Sequence, residues 1–323
     1  MDVLVTGATS LLGRGVAAAL LERGDQVTCF QRRPSDLDTE EITGDIRDAD
    51  AVRSAVAGHE VVVHLAALVA PRPTFAEAFA VNVDGTRNVL AAIKNDARLV
   101  HISTPSVAFH EAPSVGATAE PATYQGSDHY ARTKAIAERA VLANDRCPVV
   151  VLRPHLVWGP GDTQLVGRIV ARGSARRLAL PDGGRALIDT TYLDDAVRAI
   201  VAGVDRSGDE PKALGRAFVI SGGDPRPVYD LVTGILRAAN VSWSPRSISA
   251  SLASIAGRVI GRTWPGDEPP LTHFAARQLS LAHWFDQRET QSILRWQPHI
   301  DVDQGLALLA DWFRRSTTDP IER

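Results

Sequence analysis

The sequence predicts an α/β fold: a doubly wound parallel sheet with a smaller C-terminal region closing over one edge of it. Three observations carry that prediction. Short β-branched runs alternate with longer amphipathic stretches through the first half of the chain, in the order VLVTG, LLGRGVAAALLERG, QVTCF, AVRSAVAG, VVVHLAA, VDGTRNVLAAIKN and RLVHIST. The short runs are apolar throughout, as strands covered on both faces must be. Parallel strands need right-handed helical crossovers, which leaves few topologies, and the doubly wound open sheet is the commonest of them. After about residue 160 the alternation gives way to a different composition, the mark of a second region.

The chain of 323 residues is 45% hydrophobic and 23% charged, which supplies a full core and excludes a disordered chain. Its net charge of −3 and the lack of any basic block give no footprint for nucleic acid. The two cysteines, Cys29 and Cys147, are far apart and without metal-ligand spacing, so neither a disulfide framework nor a zinc site is expected. The nine histidines show no HExxH pattern, and no catalytic metal is expected either. The start, MDVLVTGATS, has no basic n-region before an apolar stretch, which points to a cytoplasmic protein. The longest apolar run, Val61 to Ala70 interrupted by His64, falls short of the roughly 18 to 20 residues that span a bilayer.

The elements follow in order. The first strand ends in Thr6-Gly7-Ala8-Thr9-Ser10-Leu11-Leu12-Gly13. Gly7 suits a tight turn, Gly13 suits close helix packing, and the helix N-terminus offers unpaired N–H groups and positive dipole to a pyrophosphate. Ser10 stands where such a turn usually has its middle glycine. After the second strand, Val27 to Phe30, come Gln31, Arg32 and Arg33 instead of the acid that would accept ribose hydroxyls. Two guanidinium groups there favour a 2′-phosphate, hence NADP(H) over NAD(H). Gly44-Asp45-Ile46-Arg47-Asp48 follows the third strand, either as an adenine-side carboxylate or as a helix cap. Further on, Tyr130-Ala131-Arg132-Thr133-Lys134 opens a helix, so Tyr130 and Lys134 share one face. A nearby ammonium is expected to draw the phenol down from about 10 and make it a usable general acid or base.

These elements together, TGxxxxxG, Asp45 after strand three, His64-Leu65-Ala66-Ala67 after strand four, Ser103-Thr104 after strand five and Tyr130/Lys134, resemble the extended short-chain dehydrogenases. The resemblance implies a Rossmann domain and a catalytic set of Thr104, Tyr130 and Lys134, with Thr104 placed three residues before Val107 and Ser103 beside it. It implies cofactor contacts at Gly7, Thr9, Ser10, Leu11, Leu12 and Gly13, at Arg32, Arg33, Asp45 and Ile46, and at Leu65, Ala66 and Ala67. Tyr130 and Lys134 are implied to touch the cofactor as well, Lys134 at the nicotinamide ribose. Arg153-Pro154-His155-Leu156-Val157-Trp158-Gly159-Pro160-Gly161 is similar to the family's RPxxVYGPG stretch, which puts Pro154, Leu156 and Val157 beside the nicotinamide. Asn82 is implied to lie on the helix lining the active site, and Ser103, Ser106, His155 and Asn82 to face substrate.

The domains are expected to interleave. Residues 1–160 form the dinucleotide-binding domain, to which 186–221 return, and 161–185 with 222–323 form the substrate-binding lid. Leu156 occupies the place of the asparagine that sugar-nucleotide epimerases of the family use to hold a diphosphate. Pro269-Pro270-Leu271-Thr272, Ala282-His283-Trp284-Phe285-Asp286 and LRWQPHIDVDQGLALLADWF are similar to the 3β-hydroxysteroid dehydrogenase branch. Within that branch Ser103 to Phe109, HYARTKAIAE and RPHLVWGPGD most resemble the bacterial 2-alkyl-3-oxoalkanoate reductases of long-chain olefin synthesis. The implied activity is NADP(H)-dependent reduction of a ketone on a large apolar substrate. The alternatives are a 3β-hydroxysteroid or sterol dehydrogenase, a sugar-nucleotide epimerase or dehydratase, and a cofactor-binding sensor without turnover. Helical spacing over 248–264, with Arg258 and Arg262 on one side, fits a packed lid helix or one that touches lipid. A homodimer through the AIAERAVLA helix and a complex with a pathway partner are the expected assemblies.

Overall fold

The computed structural model describes residues 1–70, 73–94, 96–110, 112–123, 128–264 and 272–318, and of 261–263 and 317–318 the backbone alone. Pro269, Pro270, Leu271 and the Arg262 side chain therefore lie outside the described residues. The strands of the main sheet are β1 (Asp2–Thr6), β2 (Gln26–Gln31), β3 (Glu40–Thr43), β4 (Val61–His64), β5 (Arg98–Ile102), β6 (Val149–Pro154) and β7 (Arg216–Ile220). They pair in the order β7-β6-β5-β4-β1-β2-β3, parallel throughout. This is the Rossmann arrangement. The order reverses between β1 and β4, and such a reversal opens a crevice at the strands' carboxyl ends.

The apolar runs are continuous because both faces of each strand are covered. Val3, Val5, Val61, Val63, Val100, Val150 and Leu152 point to one face, where they meet Val16 and Leu20 of helix α1 (Leu11–Glu22). The intervening Leu4, Val62, Leu99, Val149 and Val151 point to the other, against Val52 of α2 (Ala49–Val56), Val89 of α3 (Gly85–Ala92) and Val141 of α4 (His129–Leu142). Helix α5 (Leu193–Asp209) returns to the first face with Ile200 and Val204. Each such buried valine or leucine contributes roughly 1.5 to 3 kcal/mol of transfer free energy. The period of two along the strands thus fixes which helix each residue meets.

A separate cluster of Trp158, Ile169, Leu180, Val228, Leu231, Ile235 and Leu309 packs residues from 166–180 and from beyond 222. A second sheet joins Ser114–Ala117, His283–Phe285, Leu187–Ile188 and Arg226–Pro227. It brings His283 beside a segment that follows β5. Leu252, Ile255 and Val259 stand exposed along the helix Ala250–Thr263. Among the described residues, no helix is long and apolar enough to cross a membrane.

Candidate active site

The turn after β1 is built for close approach. Gly7 adopts φ +80, and a Cβ there would lie 2.8 Å from the Ala66 amide nitrogen, beside the loop that follows β4. A Cβ on Gly13 would lie 2.4 Å from the Gly7 carbonyl oxygen. Ser10 caps α1: its Oγ accepts from Gly13 N at 3.1 Å and donates to Gly7 O at 2.9 Å. That cap explains the serine where glycine was anticipated. Its hydroxyl holds the turn together, while Thr9 and Ser10 stay exposed and the first turn of α1 carries no acid. The cradle therefore fits a dinucleotide pyrophosphate, with Leu11 and Leu12 half-buried behind it.

At the end of β2, Arg32 and Arg33 are exposed, and Gln31 is buried with its Oε1 unpartnered. Asp45 holds Arg47 through two side-chain bonds of 2.9 and 2.6 Å, and these lower its carboxyl to about 2, with Arg32 adding to the effect. Ile46 is buried against Gly85 of α3. Sequence reasoning missed Glu41 on β3. Its carboxylate accepts from Ser35 N at 2.7 Å, from Ser35 Oγ and from Gln31 Nε2 at 3.4 Å, so it is turned inward and its charge is engaged.

The catalytic candidates come from two elements that end at the same carboxyl edge. Thr104 follows β5 and caps the short turn Pro105–Ala108, its Oγ1 accepting from Ser106 N at 3.3 Å. Ser103 beside it is buried with an unpartnered Oγ. Asp128 caps α4 by accepting from Ala131 N at 2.9 Å, which fixes the start of the helix that carries Tyr130 and Lys134. Lys134 is 3% exposed, and its ammonium donates to Ile102 O at 2.6 Å, at the last residue of β5. Burial lowers it to about 8. Here one expectation fails in direction: burial pushes the Tyr130 phenol up, and the Asp128 carboxylate adds to that. Loss of hydration and the Asp128 charge set that direction.

Asn82 lies on a single π-helical turn, Ala80–Asp84, between Phe75–Phe79 and α3. Such turns break the regular ladder and re-aim side chains. It accepts from Leu68 N at 2.7 Å and donates to Thr133 Oγ1 at 3.0 Å, so it ties the loop after β4 to α4 and is spent on protein groups. Leu65, Ala66 and Ala67 run between these two, half-buried. Beyond β6, Leu156 takes φ +41 and Val157 pairs with Thr191 in a short parallel bridge. Pro154 ends β6 at the same edge.

A cavity of about 40 Å³ opens beside the turn after Thr104, lined in part by Pro105, Ser106, Phe109, Arg153, His155, His283 and Phe285. A larger cleft of about 450 Å³, between α5 and residues 291–299, includes none of the anticipated site residues. Arg153 is buried and bonded through Nε and Nη2 to Glu138, four residues beyond Lys134 on the same helix, and through Nη1 to Glu120 O at 2.7 Å. Sequence reasoning did not single out Glu138, although the same four-residue spacing that joins Tyr130 to Lys134 continues to it. His283 had no such signal. Among the described residues, no group of three or more His, Cys, Asp or Glu could hold a metal ion.

Cradle, Tyr130/Lys134 pair and flanking hydroxyl define a Rossmann oxidoreductase of the extended short-chain dehydrogenase type. The NAD dependent epimerase/dehydratase family model matches residues 3–220, and the chain belongs to that family as a NAD(P)-dependent oxidoreductase. It is 37% identical to a 2-alkyl-3-oxoalkanoate reductase from Stenotrophomonas maltophilia, over 96% of this chain and 98% of that one. A 3 beta-hydroxysteroid dehydrogenase/Delta 5-->4-isomerase from Mycobacterium tuberculosis is 28% identical, over 94% of this chain and 88% of its own. The fold is shared with a UDP-glucuronic acid 4-epimerase from Bacillus cereus in complex with NAD, at TM-score 0.74 and 21% identity, over 98% and 99% of the two chains.

Proposed function

We propose that the protein reduces the ketone of a 2-alkyl-3-oxoalkanoate to the 3-hydroxy acid, or runs the reverse oxidation, with NADP(H). The observation that supports the chemistry is that Lys134, on the helix that Tyr130 opens, donates to the carbonyl of Ile102 at the end of β5, two residues before Thr104. Likeness to the Stenotrophomonas reductase over nearly the whole of both chains supports this substrate class. Leu156 supports it too, since it withholds the hydrogen bond that a sugar diphosphate needs.

Gly7, Thr9, Ser10, Leu11, Leu12 and Gly13 would hold the pyrophosphate, and Asp45, Ile46, Leu65, Ala66 and Ala67 the adenosine side. Pro154, Leu156 and Val157 would lie along the nicotinamide. When bound, the cofactor supplies or accepts the hydride. Thr104 Oγ1 orients the carbonyl oxygen by donating to it. Tyr130 gives that oxygen its proton. The raised phenol pKa suits an acid that keeps its proton until a partner needs it. Lys134 keeps its ammonium at the end of β5, and its remaining N–H groups would hold the nicotinamide ribose. Arg32 and Arg33 would take the 2′-phosphate, since the nearby Glu41 carboxylate is engaged by Ser35 and Gln31. Residues 161–185 and 222–323 would act as the lid over the cleft, with 186–221 returning to the cofactor domain.

Fluorescence titration with NADPH and NADH, followed by addition of a 2-alkyl-3-oxo acid or a 3-keto steroid, tests the reading. Tighter NADPH binding with oxidation on adding the keto acid is expected. Preference for NADH with turnover of the steroid alone would overturn it.

A further inference from the structure

We propose that His155 and His283 form the subsite for the free carboxyl group of the substrate. The proposal rests on the 3-oxo acid reading above and adds how the acid end is recognised. Both histidines are 5% exposed, and both line the cavity beside the Thr104 turn. Their rings meet edge to face at 4.9 Å, and Phe285 packs against His155 at 5.0 Å. In that enclosure His155 Nδ1 and His283 Nε2 have no hydrogen-bond partner. Buried ring nitrogens left bare cost free energy, and two in one cavity mark a place made for a polar guest.

The chemistry of the guest follows from the tautomer. His283 Nδ1 lies 2.8 Å from Leu281 O, and a carbonyl oxygen can only accept, so the proton sits on Nδ1 and Nε2 presents a lone pair. Burial favours the neutral form of both rings. A carboxylate that enters with one proton from solvent gives that proton to His283 Nε2, and the resulting imidazolium pairs with the anion; His155, in its Nδ1–H tautomer, donates to the other carboxylate oxygen. The facing charged groups do not compete for it. Arg153 is locked to Glu138 and Glu120 O, and Asp189 beside His155 is engaged by Ser221 Oγ at 2.6 Å and by the Thr190 and Gly223 amides. The exposed Glu120 carboxylate accepts from Thr118 Oγ1 at 3.3 Å. Position agrees as well. In a 3-oxo acid one carbon separates ketone from carboxyl, and in the fold Pro105 and Ser106 of the cavity wall follow directly on Thr104.

The test runs in the oxidation direction, where the 3-hydroxy acid is stable. A 2-alkyl-3-hydroxy acid and its methyl ester are compared with NADP⁺ as the second substrate. The ester brings neither charge nor proton, so its KM is expected to exceed that of the acid by about tenfold or more with kcat little changed, the size of one charged hydrogen bond. His283→Gln and, separately, His155→Asn are expected to raise KM for the acid by a similar factor and to erase the preference, with melting temperature as the check on folding. Equal KM for acid and ester in the unaltered protein, or a preference that survives both variants, would overturn the subsite alone. Turnover of neither compound beside turnover of a hydroxysteroid would overturn the parent reading and the subsite with it.

Discussion

Replacing Lys134 with methionine is expected to stabilise the protein while removing its chemistry. The ammonium is 3% exposed, and burial lowers its pKa to about 8 from an ordinary 10.5. That gap corresponds to about 3 kcal/mol of penalty for keeping the charge in the folded protein. Methionine fills a similar volume, but the Ile102 carbonyl loses its 2.6 Å donor, which costs about 1 kcal/mol. A net gain of about 2 kcal/mol remains, or about 3 °C in melting temperature for a chain of this length. The sign fixes the pH dependence. A base whose folded pKa is depressed carries its full penalty below the folded value and sheds it as pH rises toward the unfolded one. The advantage of the variant should thus be whole below pH 8 and shrink steadily between about 8 and 10.5. Differential scanning fluorimetry from pH 6.5 to 10, on the protein without cofactor, reads it out. A variant that melts below the parent at pH 7, or a difference that does not change with pH, would refute the reasoning.

Other substitutions test other parts. Tyr130→Phe should lower kcat by roughly 10²- to 10⁴-fold, with NADPH affinity within about threefold by fluorescence titration. Gly13→Ala puts a Cβ 2.4 Å from the Gly7 carbonyl oxygen, so a loss of about 1 to 3 kcal/mol in urea unfolding and weaker cofactor binding are expected. Glu138→Gln leaves the buried Arg153 charge without its counter-charge and should cost about 3 kcal/mol, whereas Glu138→Leu with Arg153→Met should cost less than either change alone. Thr86→Val removes the acceptor 3.0 Å from His64 Nε2 and should destabilise by about 1 to 3 kcal/mol, read by thermal melt.

Much of the fold was legible because its rules are local. A strand buried on both faces has to be apolar at every position, and Val61–Val63 and Val149–Leu152 are. Tyr130 and Lys134 were legible because helical geometry alone brings residues four apart onto one face. Local rules also explain what stayed hidden. Ser10 read as a departure from a glycine pattern, yet its hydroxyl closes the turn that the glycines open. The direction of the Tyr130 shift depends on how completely the surroundings exclude water, which spacing does not encode. Glu41 reaches the end of β2 only because β3 pairs with it in register, Cys29 beside Glu41. His283 meets His155 only because a strand from far along the chain joins the small sheet beside Leu187–Ile188.

The polar groups behind the candidate site form a chain with a single direction. The Ala66 amide donates to Thr6 Oγ1 at 3.2 Å, and Thr6 Oγ1 lies 2.8 Å from His64 Nδ1. On the other side of the ring, His64 Nε2 lies 3.0 Å from Thr86 Oγ1, whose own proton goes to Asn82 O at 2.7 Å. Thr86 must therefore accept from Nε2–H, and Nδ1 must accept from Thr6. Only the neutral ring satisfies both, and burial together with the Lys134 charge lowers His64 to about 3. The chain continues through Asn82 Nδ2 to Thr133 Oγ1, which donates to the His129 and Tyr130 carbonyls. One set of hydrogen bonds thus runs from the loop against the glycine cradle to the first turn of the helix that bears Tyr130. Movement at either end costs bonds along its length, so the helix start that bears Tyr130 and the glycine turn after β1 are held in fixed relation to one another.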